Sequence, residues 1–278
     1  MIYGTNSRRK EFNGKCIVAF IDILGFSNEI KSTWNNSAEE LFQRMKKFTS
    51  IVNSNISKQI KKVRSEAERD TYYGCNIRTF SDSVIILYAF NGIPDKRRFL
   101  VGLYYTLYTA SFVWRTALNL NFTIRGGIEY GDMRWNNNVI LGPAFIRAYE
   151  LESKIAISSR VIMGSEAFMK THSAFVDDNH SERDIRLRQI YAHLRTLMKP
   201  YLYVDVDKHL TLSPHSLYKK ESEKEQIVHT IVQMQNMCNE LKAKLKYAPL
   251  LDALKAGKSK FTIGDLEIIK DSYAKPTT

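Results

Sequence analysis

The apolar residues of the chain follow two spacings, one typical of strands and one typical of helices. A continuous apolar run that ends on Asp22 predicts a strand, and apolar positions three and four residues apart after Ser37 predict an amphipathic helix. In chain order, the predicted elements are a strand over 15–22, a helix over 37–62, a hairpin over 77–88, a helix over 97–118, strands over 122–129 and 139–141, a helix over 144–154, and strands over 160–163 and 201–206.

The predicted order of elements, β–α–β–β–α–β followed by a further helix and strand, is that of the ferredoxin-like or split-βαβ arrangement. This is an α+β fold with an antiparallel-rich sheet and helices packed on one face. The first strand of such a sheet lies beside the hairpin. Asp22, at the end of the first strand, and Asp82, at the bend of the hairpin, are therefore expected to converge at one edge of the sheet.

Both ends of the chain differ in character from its central part. Residues 1–14 are polar and basic and are predicted to form a flexible arm, whereas the main domain is predicted to span 15–212. The remainder, 213–278, is predicted to be a C-terminal helical extension. In this extension a charged helix over 216–246 carries an apolar stripe that is suited to packing against another helix. The residues of the stripe are Ile227, Ile231, Met234, Met237, Cys238 and Leu241.

The chain has 278 residues and a formal net charge of +12, which favours an anionic partner such as a nucleic acid, a membrane surface or a polyphosphate substrate. Its basic residues are scattered and no nucleic-acid-binding signature accompanies them, so nucleic acid is not the expected partner. No apolar run is long enough to cross a membrane, and the N-terminus lacks a signal-peptide core. Together with three widely spaced cysteines, these features predict a cytoplasmic protein with free thiols.

The stretch 20–27, Phe-Ile-Asp-Ile-Leu-Gly-Phe-Ser, places Asp22 three residues before Gly25. A strand that ends on a carboxylate beside a glycine turn directs a hard anion and several N–H groups at one point, which suits a metal–phosphate complex. The stretch alone leaves open a second interpretation, in which Asp22 only caps the next helix. Together with Asp82, it favours two Mg²⁺ or Mn²⁺ ions bridged by the phosphates of a nucleotide, although both residues can also be simple turn residues.

Four stretches resemble the motifs of class III nucleotidyl cyclases, in the order that they have in that family. Stretch 20–27 is similar to the motif Phe-x-Asp-Ile-x-Gly-Phe-Ser, which carries the first metal-binding carboxylate, and 80–82 (Phe-Ser-Asp) matches the second. Stretch 125–131 (Arg-Gly-Gly-Ile-Glu-Tyr-Gly) resembles a strand of the family, and 142–152 resembles the helix that follows it. The resemblance extends over 15–170.

The resemblance implies a class III cyclase homology domain and a set of site residues. Asp22, Asp82 and the backbone carbonyl of Ile23 would bind two divalent cations, Mn²⁺ or Mg²⁺. The N–H groups of the following turn and the guanidinium of Arg160 would bind the triphosphate. The residues of that turn are Leu24, Gly25, Phe26 and Ser27. Because the family assembles its site at an antiparallel dimer interface, the resemblance also implies a C2 homodimer.

Positions that differ from the purine cyclases concern the base. In those enzymes a Lys and an Asp read adenine, and the corresponding residues here are Arg78 and Val139. Val139 cannot accept a hydrogen bond from an adenine amino group, whereas Arg78 can donate one to a carbonyl oxygen of a base. Ile146 and Glu150 stand where the family has its transition-state Asn and Arg. Arg78, Val139 and Ile146 are therefore the predicted base-recognition residues.

With these differences the chain resembles, more narrowly, the pyrimidine cyclases of the bacterial Pycsar anti-phage system. The resemblance implies conversion of UTP, or alternatively of CTP, to cUMP or cCMP and pyrophosphate, with a separate effector that responds to the product. UTP is the favoured substrate.

Two other interpretations stay open at this point. Ile146 and Glu150 favour a degenerate domain that binds a nucleotide without chemistry, and the net charge of +12 favours a nucleic-acid-binding protein. If the chain is a cyclase, Arg147 or Lys154 can supply the charge of the missing arginine. Arg147 is, however, also placed to pair with Glu150 along the helix.

Overall fold

The fold is organised around one mixed sheet. A computed structural model describes it for residues 11–66, 72–176, 185–238, 240–257 and 261–274. The strands are β1 (Glu11–Ile23), β2 (Tyr72–Phe80), β3 (Ser83–Phe90), β4 (Ile124–Asn136), β5 (Ile140–Leu141), β6 (Val161–Met163), β7 (Leu202–Val204) and β8 (Leu210–Leu212). The helices are α1 (Phe26–Glu66), α2 (Lys96–Leu118), α3 (Pro143–Glu150), α4 (Ser165–Val176), α5 (Ile185–Met198), α6 (Glu221–Met237), α7 (Leu241–Leu245), α8 (Ala248–Lys255) and α9 (Ile263–Ala274).

The strand order in the described part of the chain is β2-β3-β1-β4-β6-β8-β7, with β5 paired to β4. In the order β2, β3, β1 and β4 each strand is antiparallel to its neighbour, which is the split-βαβ order that the sequence predicts. β6 joins β4 in parallel, and β8 and β7 extend the sheet in the antiparallel sense. The predicted α+β fold, with β1 beside the hairpin, is thus confirmed.

The side chains of β1 contribute to two cores, because successive residues of a strand point to opposite faces of the sheet. Ile17 and Ile21 belong to the main core, together with residues of α1 and α2. Val18 belongs to a second core on the other face, which Ala144 and Ala148 of α3 complete. The prediction that the helices pack on one face is therefore incomplete, since α3 covers the opposite face.

Gly127 on β4 allows α3 to lie directly on the sheet. A Cβ atom at this position would stand 2.4 Å from the carbonyl oxygen of Ala148, far inside van der Waals contact. The helix continues into a single turn of π-helix, Leu151–Ile155, which carries Glu152. The close approach at Gly127 thus fixes the height of Glu152 above the sheet.

Strands β1 and β4 are both longer than the apolar pattern predicts. They pair along their whole length, with Glu11 opposite Asn136 and Ile23 opposite Ile124. Each strand supplies the hydrogen-bonding partners that keep the polar end of the other strand extended. The predicted flexible arm is therefore wrong for residues 11–14, and its remainder, 1–10, lies outside the described residues.

The first long helix begins earlier than predicted. α1 starts at Phe26, directly after the glycine turn, and Ser37 lies inside it at a kink with φ −147° and ψ 29°. Ser37 leaves the helical conformation where the sequence predicts an N-cap. The capping pattern therefore marks the kink of this helix and not its beginning.

The single helix predicted over 216–246 is wrong, because the described part of this region contains two separate helices, α6 and α7. α6 ends where the backbone becomes extended at Cys238, with φ −77° and ψ 127°. Met237 and Leu241, which belong to the predicted apolar stripe, are 80% and 72% exposed. The members of the stripe that are buried in the main core are Ile227, Ile231 and Met234.

The C-terminal helices share the main core with the sheet. Leu254 of α8 and Leu266 of α9 are fully buried there. The division of the chain into 15–212 and 213–278 stays a prediction. Helices α4 and α5 and strand β8 have no counterpart among the predicted elements. None of the helices that the structure describes combines the length and the apolar composition that a membrane span requires.

Candidate functional site

The two aspartates that the sequence pairs across sixty positions lie next to each other at one edge of the sheet. Asp22 stands near the end of β1, opposite Ser83 at the start of β3, and Asp82 occupies the turn immediately before Ser83. The Ser83 hydroxyl donates to Asp22 Oδ1 over 3.0 Å. The backbone N–H of Ile23 donates to the Asp82 carbonyl over 3.2 Å. The hairpin is therefore fixed to the end of β1 on both sides of the carboxylate pair.

A third carboxylate and an arginine complete what we call the Asp22 cluster: Asp22, Asp82, Glu152 and Arg125. Arg125 lies opposite Asp22 in the β1–β4 pairing. Its Nη2 atom is 3.8 Å from Asp22 Oδ2, and its Nε atom is 2.6 Å from Glu152 Oε1. Glu152 is only 3% exposed. The arginine is thus shared between the two carboxylates and lies closer to the buried glutamate.

The Asp22 cluster contains more negative than positive charge. Burial, together with the nearby charges of Asp82 and Glu152, raises the pKa of Asp22 to about 7 against the opposing effects of the Ser83 hydrogen bond and Arg125. Burial also raises the pKa of Glu152. Three carboxylates facing one guanidinium are a set of hard oxygen ligands with uncompensated charge, which is what a divalent cation such as Mg²⁺ or Mn²⁺ requires.

The turn after Asp22 leads directly into α1. Gly25 adopts φ +82°, and a Cβ atom there would meet nothing within 4 Å. Glycine is therefore needed for its backbone conformation and not for space. The N–H of Leu24 donates to the carbonyl of Thr123 over 2.9 Å, so the phosphate contact predicted for Leu24 would require this bond to break. Phe26 and Ser27 belong to the first turn of α1, where backbone N–H groups lack partners within the helix.

Arg160, which is predicted to bind the triphosphate, forms hydrogen bonds with a second group of acidic side chains. Its Nη1 atom donates to Asp205 Oδ2 over 2.7 Å and also to Asp207, and its Nη2 atom donates to the carbonyl of Ile155 over 3.1 Å. Asp205 Oδ1 accepts the N–H groups of Asp207 and His209. We call Asp205, Asp207, His209 and Arg160 the Asp205 cluster. The role predicted for Arg160 stays a prediction, and it would require the guanidinium to leave these carboxylates.

The ligand atoms of Asp205, Asp207 and His209 lie within 4.8 Å of one another, so these side chains have the spacing of a metal site. The guanidinium of Arg160 already contacts both of the carboxylates. A metal ion would have to displace this permanent cation, which makes the Asp205 cluster a poorer cation site than the Asp22 cluster.

Two of the predicted base-recognition residues are close together within the chain. The Nη2 atom of Arg78, on β2, donates to the carbonyl of Asn136 at the end of β4. The N–H of Asn136 in turn donates to the carbonyl of Val139 over 3.0 Å. Burial lowers the pKa of the Arg78 guanidinium. Ile146 lies on α3 and is 57% exposed.

The two cations proposed to replace the missing arginine have different partners. Lys154 Nζ pairs with Glu150 Oε1 over 2.8 Å. Arg147 does not take the Glu150 partner that the helical spacing offers. Its Nη2 atom donates to the carbonyl of Tyr130 over 3.0 Å, and its Nε atom lies 3.6 Å from Glu129 Oε2. Lys154 therefore remains the more exposed cation on this part of the chain, and Arg147 supports β4.

The sequence interpretation gave no role to Arg125, Glu152, Asp205 or Asp207. Arg125 and Glu152 are the first residue of one motif and the last residue of another. Their meeting depends on the register of β4 against β1 and on the height of α3. No local pattern in the sequence predicts this register or this height. The alternation Asp-Val-Asp-Lys-His at 205–209 is visible in the sequence and is the signal that could have identified the second cluster.

No protein-family model and no curated protein matches the chain. The chain is similar in structure to the adenylyl cyclase CyaB from P. aeruginosa, with 13% identity, a TM-score of 0.39, and coverage of 73% of this chain and 94% of that one. It is similar to a class III adenylyl cyclase-like ATP-binding protein from Pseudomonas aeruginosa, with 12% identity, a TM-score of 0.41, and coverage of 68% and 41%. It is also similar to a bacterial light-regulated adenylyl cyclase, with 14% identity, a TM-score of 0.39, and coverage of 69% of this chain and 60% of that one. At these identities and scores the similarities concern the fold alone.

Proposed function

We propose that this chain is a metal-dependent nucleotide cyclase that converts a pyrimidine nucleoside triphosphate, UTP in preference to CTP, to the 3′,5′-cyclic nucleotide and pyrophosphate. The observation that carries the proposal is the Asp22 cluster, in which three carboxylates are grouped, two of them share one arginine, and the pKa of Asp22 is raised to about 7. This excess of negative charge lies beside the N-terminus of α1, so a cation and a polyphosphate can be held at the same point. The cyclase motifs of the sequence support the same assignment.

In the proposed reaction the 3′-oxygen of the ribose attacks the α-phosphorus, the bond from that phosphorus to the β-phosphate oxygen breaks, and the hydroxyl proton passes to solvent. Divalent cations held by Asp22 and Asp82, with the carbonyl of Ile23, would lower the pKa of the hydroxyl and neutralise the leaving pyrophosphate. No nucleophile from the protein is needed. The protein contributes position and charge, and the N–H groups of Gly25, Phe26 and Ser27 would bind the phosphates.

The proposed preference for a pyrimidine rests on Arg78 and Val139. Arg78 already donates to a carbonyl oxygen, that of Asn136. A base carbonyl could replace this acceptor without leaving the guanidinium unpaired. Val139 is 45% exposed and offers no side-chain acceptor for an adenine amino group. The preference for UTP over CTP comes only from the resemblance to the Pycsar cyclases, as does the proposal that the product is a messenger that acts on a separate effector in anti-phage defence.

A C2 homodimer is part of the proposal. Large apolar side chains are exposed on α3, at the end of β2 and in the β4–β5 hairpin, and exposed apolar surface of this kind marks an interaction site. Those exposed by 45% or more are Phe80, Val139, Leu141, Ile146 and Tyr149. Light scattering is expected to give twice the chain mass, and Ile146→Glu is expected to reduce both the dimer and the activity. A fully active monomer would contradict this part.

The test is to incubate the protein with Mn²⁺ and each nucleoside triphosphate separately and to identify any cyclic product by mass. We expect cUMP from UTP, at a rate that Asp22→Ala or Asp82→Ala reduces by about a thousandfold or more, because charge neutralisation at the phosphates is lost. Asp252→Ala, which removes an exposed carboxylate of α8, is the matched control and should leave the rate unchanged.

Each alternative predicts a different result in this assay. Formation of cCMP from CTP alone would correct the substrate and keep the mechanism. Binding of nucleotides without release of pyrophosphate from any of the four would indicate a degenerate domain, and Ile146 and Glu150 would then explain the loss of chemistry. Wild-type turnover by the Asp22→Ala protein would reject the metal assignment.

A further inference from the structure

A cavity of about 710 Å³ lies between the C-terminal half of α2 and the segments that precede β7 and α6. Those segments are two short 3₁₀ turns, Lys199–Tyr201 and Pro214–Leu217. The volume is within the range of small-molecule sites in proteins. None of the lining residues belongs to the Asp22 cluster or the Asp205 cluster. The cavity is therefore a separate feature of the fold.

The lining of this cavity is positively charged. Arg115, Lys199 and Lys219 line it, and none of the described residues of the lining is an aspartate or a glutamate. Arg115 is held in place by a hydrogen bond from Nη2 to the carbonyl of Ser216 over 3.1 Å. Two carboxylates outside the lining contact its residues. Glu223 accepts the backbone N–H of Lys219 over 2.7 Å, which lowers the pKa of Glu223, and Asp265 accepts the backbone N–H of Thr262 over 2.7 Å. Three cations in the lining against two peripheral carboxylates favour an anionic ligand.

Aromatic rings and hydroxyl groups form the rest of the wall. The rings of Tyr108 and Tyr201 lie 6.2 Å apart, and Tyr104 packs edge-on against Tyr201 at 5.9 Å. Tyr108 is 38% exposed, so its ring is both supported and accessible. The hydroxyl of Ser216 donates to that of Ser111 over 2.9 Å. The cavity thus offers an ordered aromatic surface, hydroxyl groups and cations within one enclosure.

We propose that this cavity is a second nucleotide site, which binds a nucleoside phosphate without a metal ion. Arg115, Lys199 and Lys219 would bind the phosphates, and the ring of Tyr108 would stack on the base. Inorganic phosphate would use the cations but not the rings, whereas an apolar ligand would leave the cations without a counter-charge. A nucleoside phosphate matches both halves of the lining. The proposal is independent of the proposed function, because it involves none of the residues of the Asp22 cluster.

The test uses isothermal titration calorimetry of the Asp22→Ala/Asp82→Ala protein with UTP and with ATP, in EDTA and at near-physiological salt. Under these conditions metal-dependent binding at the Asp22 cluster is absent, and weak binding to scattered surface charge is screened. We expect saturable binding of one nucleotide per chain. Adding Lys199→Glu and Lys219→Glu should weaken it by about tenfold or more, since two charge-assisted contacts become repulsive.

Two controls separate the cavity from the general positive charge of the chain. Lys242→Glu/Lys255→Glu makes the same charge change at exposed sites of α7 and α8 and should leave the affinity unchanged. Tyr108→Leu should weaken both nucleotides but not inorganic tripolyphosphate, which has no base to stack. Circular dichroism checks that each variant is folded.

The proposal is overturned by three results: no saturable binding in EDTA, an equal loss in the Lys242→Glu/Lys255→Glu control, or tripolyphosphate binding as tightly as UTP with no effect of Tyr108→Leu. Failure to detect a cyclic product in the assay of the proposed function would not bear on this site. The two proposals can therefore fail separately.

Discussion

The Asp22 cluster and the Asp205 cluster each combine acidic side chains with one arginine, but they differ in how the charges are compensated. In the Asp205 cluster, Arg160 contacts both carboxylates, and Asp205 accepts two backbone N–H groups with its other oxygen. In the Asp22 cluster, Arg125 lies 3.8 Å from Asp22 and is held mainly by Glu152. Carboxylates outnumber the arginine in both arrangements, formally by one negative charge in the Asp205 cluster and by two in the Asp22 cluster.

This difference shows that the density of acidic residues along a sequence is a poor guide to a cation site. Asp205, Asp207 and His209 alternate within five positions and have the local spacing of metal ligands. Asp22 and Asp82 are sixty positions apart, yet burial and the neighbouring carboxylates raise the pKa of Asp22 to about 7. A metal cation is expected to bind where the arginines of the protein leave more of the carboxylate charge uncompensated.

The largest expected difference between the clusters is in stabilisation by metal. Mn²⁺ at a hundredfold excess over its dissociation constant should raise the free energy of unfolding by about 2.7 kcal/mol. The increase should disappear in Asp22→Asn/Asp82→Asn and persist in Asp205→Asn/Asp207→Asn, because the Asp22 cluster holds the larger excess of carboxylates over arginine. Thermal unfolding with and without Mn²⁺ measures the effect.

The two double variants serve as each other's controls, since each neutralises two carboxylates of one cluster and leaves the other cluster intact. If the Asp205→Asn/Asp207→Asn protein lost the Mn²⁺ effect and the Asp22→Asn/Asp82→Asn protein kept it, the comparison would be reversed. The Asp205 cluster would then be the metal site.

The next effect concerns pH. The pKa of Asp22 is raised from 3.8 to about 7, so Mn²⁺ must displace a proton below neutrality. Its apparent affinity should therefore be about tenfold lower at pH 6 than at pH 8. Without metal, the free energy of unfolding depends on pH with the opposite sign to the Mn²⁺ affinity. The folded protein keeps a proton that the unfolded chain has lost, so Asp22 makes the fold less stable as the pH rises from 4 to 7. Asp22→Asn should flatten both curves.

Glu152→Gln sharpens this test. The charge of Glu152 is one of the causes that raise the pKa of Asp22, so its removal should shift the midpoint of the Mn²⁺ affinity curve to lower pH. Asp207→Asn is the matched control and should leave the midpoint unchanged. A midpoint that does not respond to Glu152→Gln would mean that burial and the charge of Asp82 set the pKa of Asp22 without a contribution from Glu152.

The sequence predicts the parts of the fold that depend on local pattern and on element order. The order of β1, the hairpin and β4 determines that Asp22 meets Asp82, and Gly25 identifies a turn that the structure places at φ +82°. The apolar run of β1 predicts its centre but not its start at Glu11, because that end is kept extended by pairing with β4. Pairing between strands distant in sequence leaves no local periodicity.

The rest of the site depends on tertiary contacts. Glu152 reaches Arg125 because α3 packs against Gly127, and Arg160 is bonded by carboxylates that follow it by more than forty positions. The helix predicted over 216–246 is too long because the apolar spacing of the sequence continues past Cys238, whereas the helical conformation of the backbone ends there. Charge compensation and chain reversal are decided in three dimensions, so composition and spacing do not reveal them.

The smallest expected effect tests the compensated cluster. Asp207 is 54% exposed, and Arg160 keeps its bond to Asp205 when Asp207 is removed. Asp207→Asn should therefore lower the free energy of unfolding by at most about 1 kcal/mol, as for other exposed ion pairs, in urea unfolding at pH 7.

If Arg160 binds the triphosphate as predicted, losing one competing carboxylate should also lower KM for UTP and leave kcat unchanged. A higher KM would instead mean that Asp207 holds Arg160 in its working position.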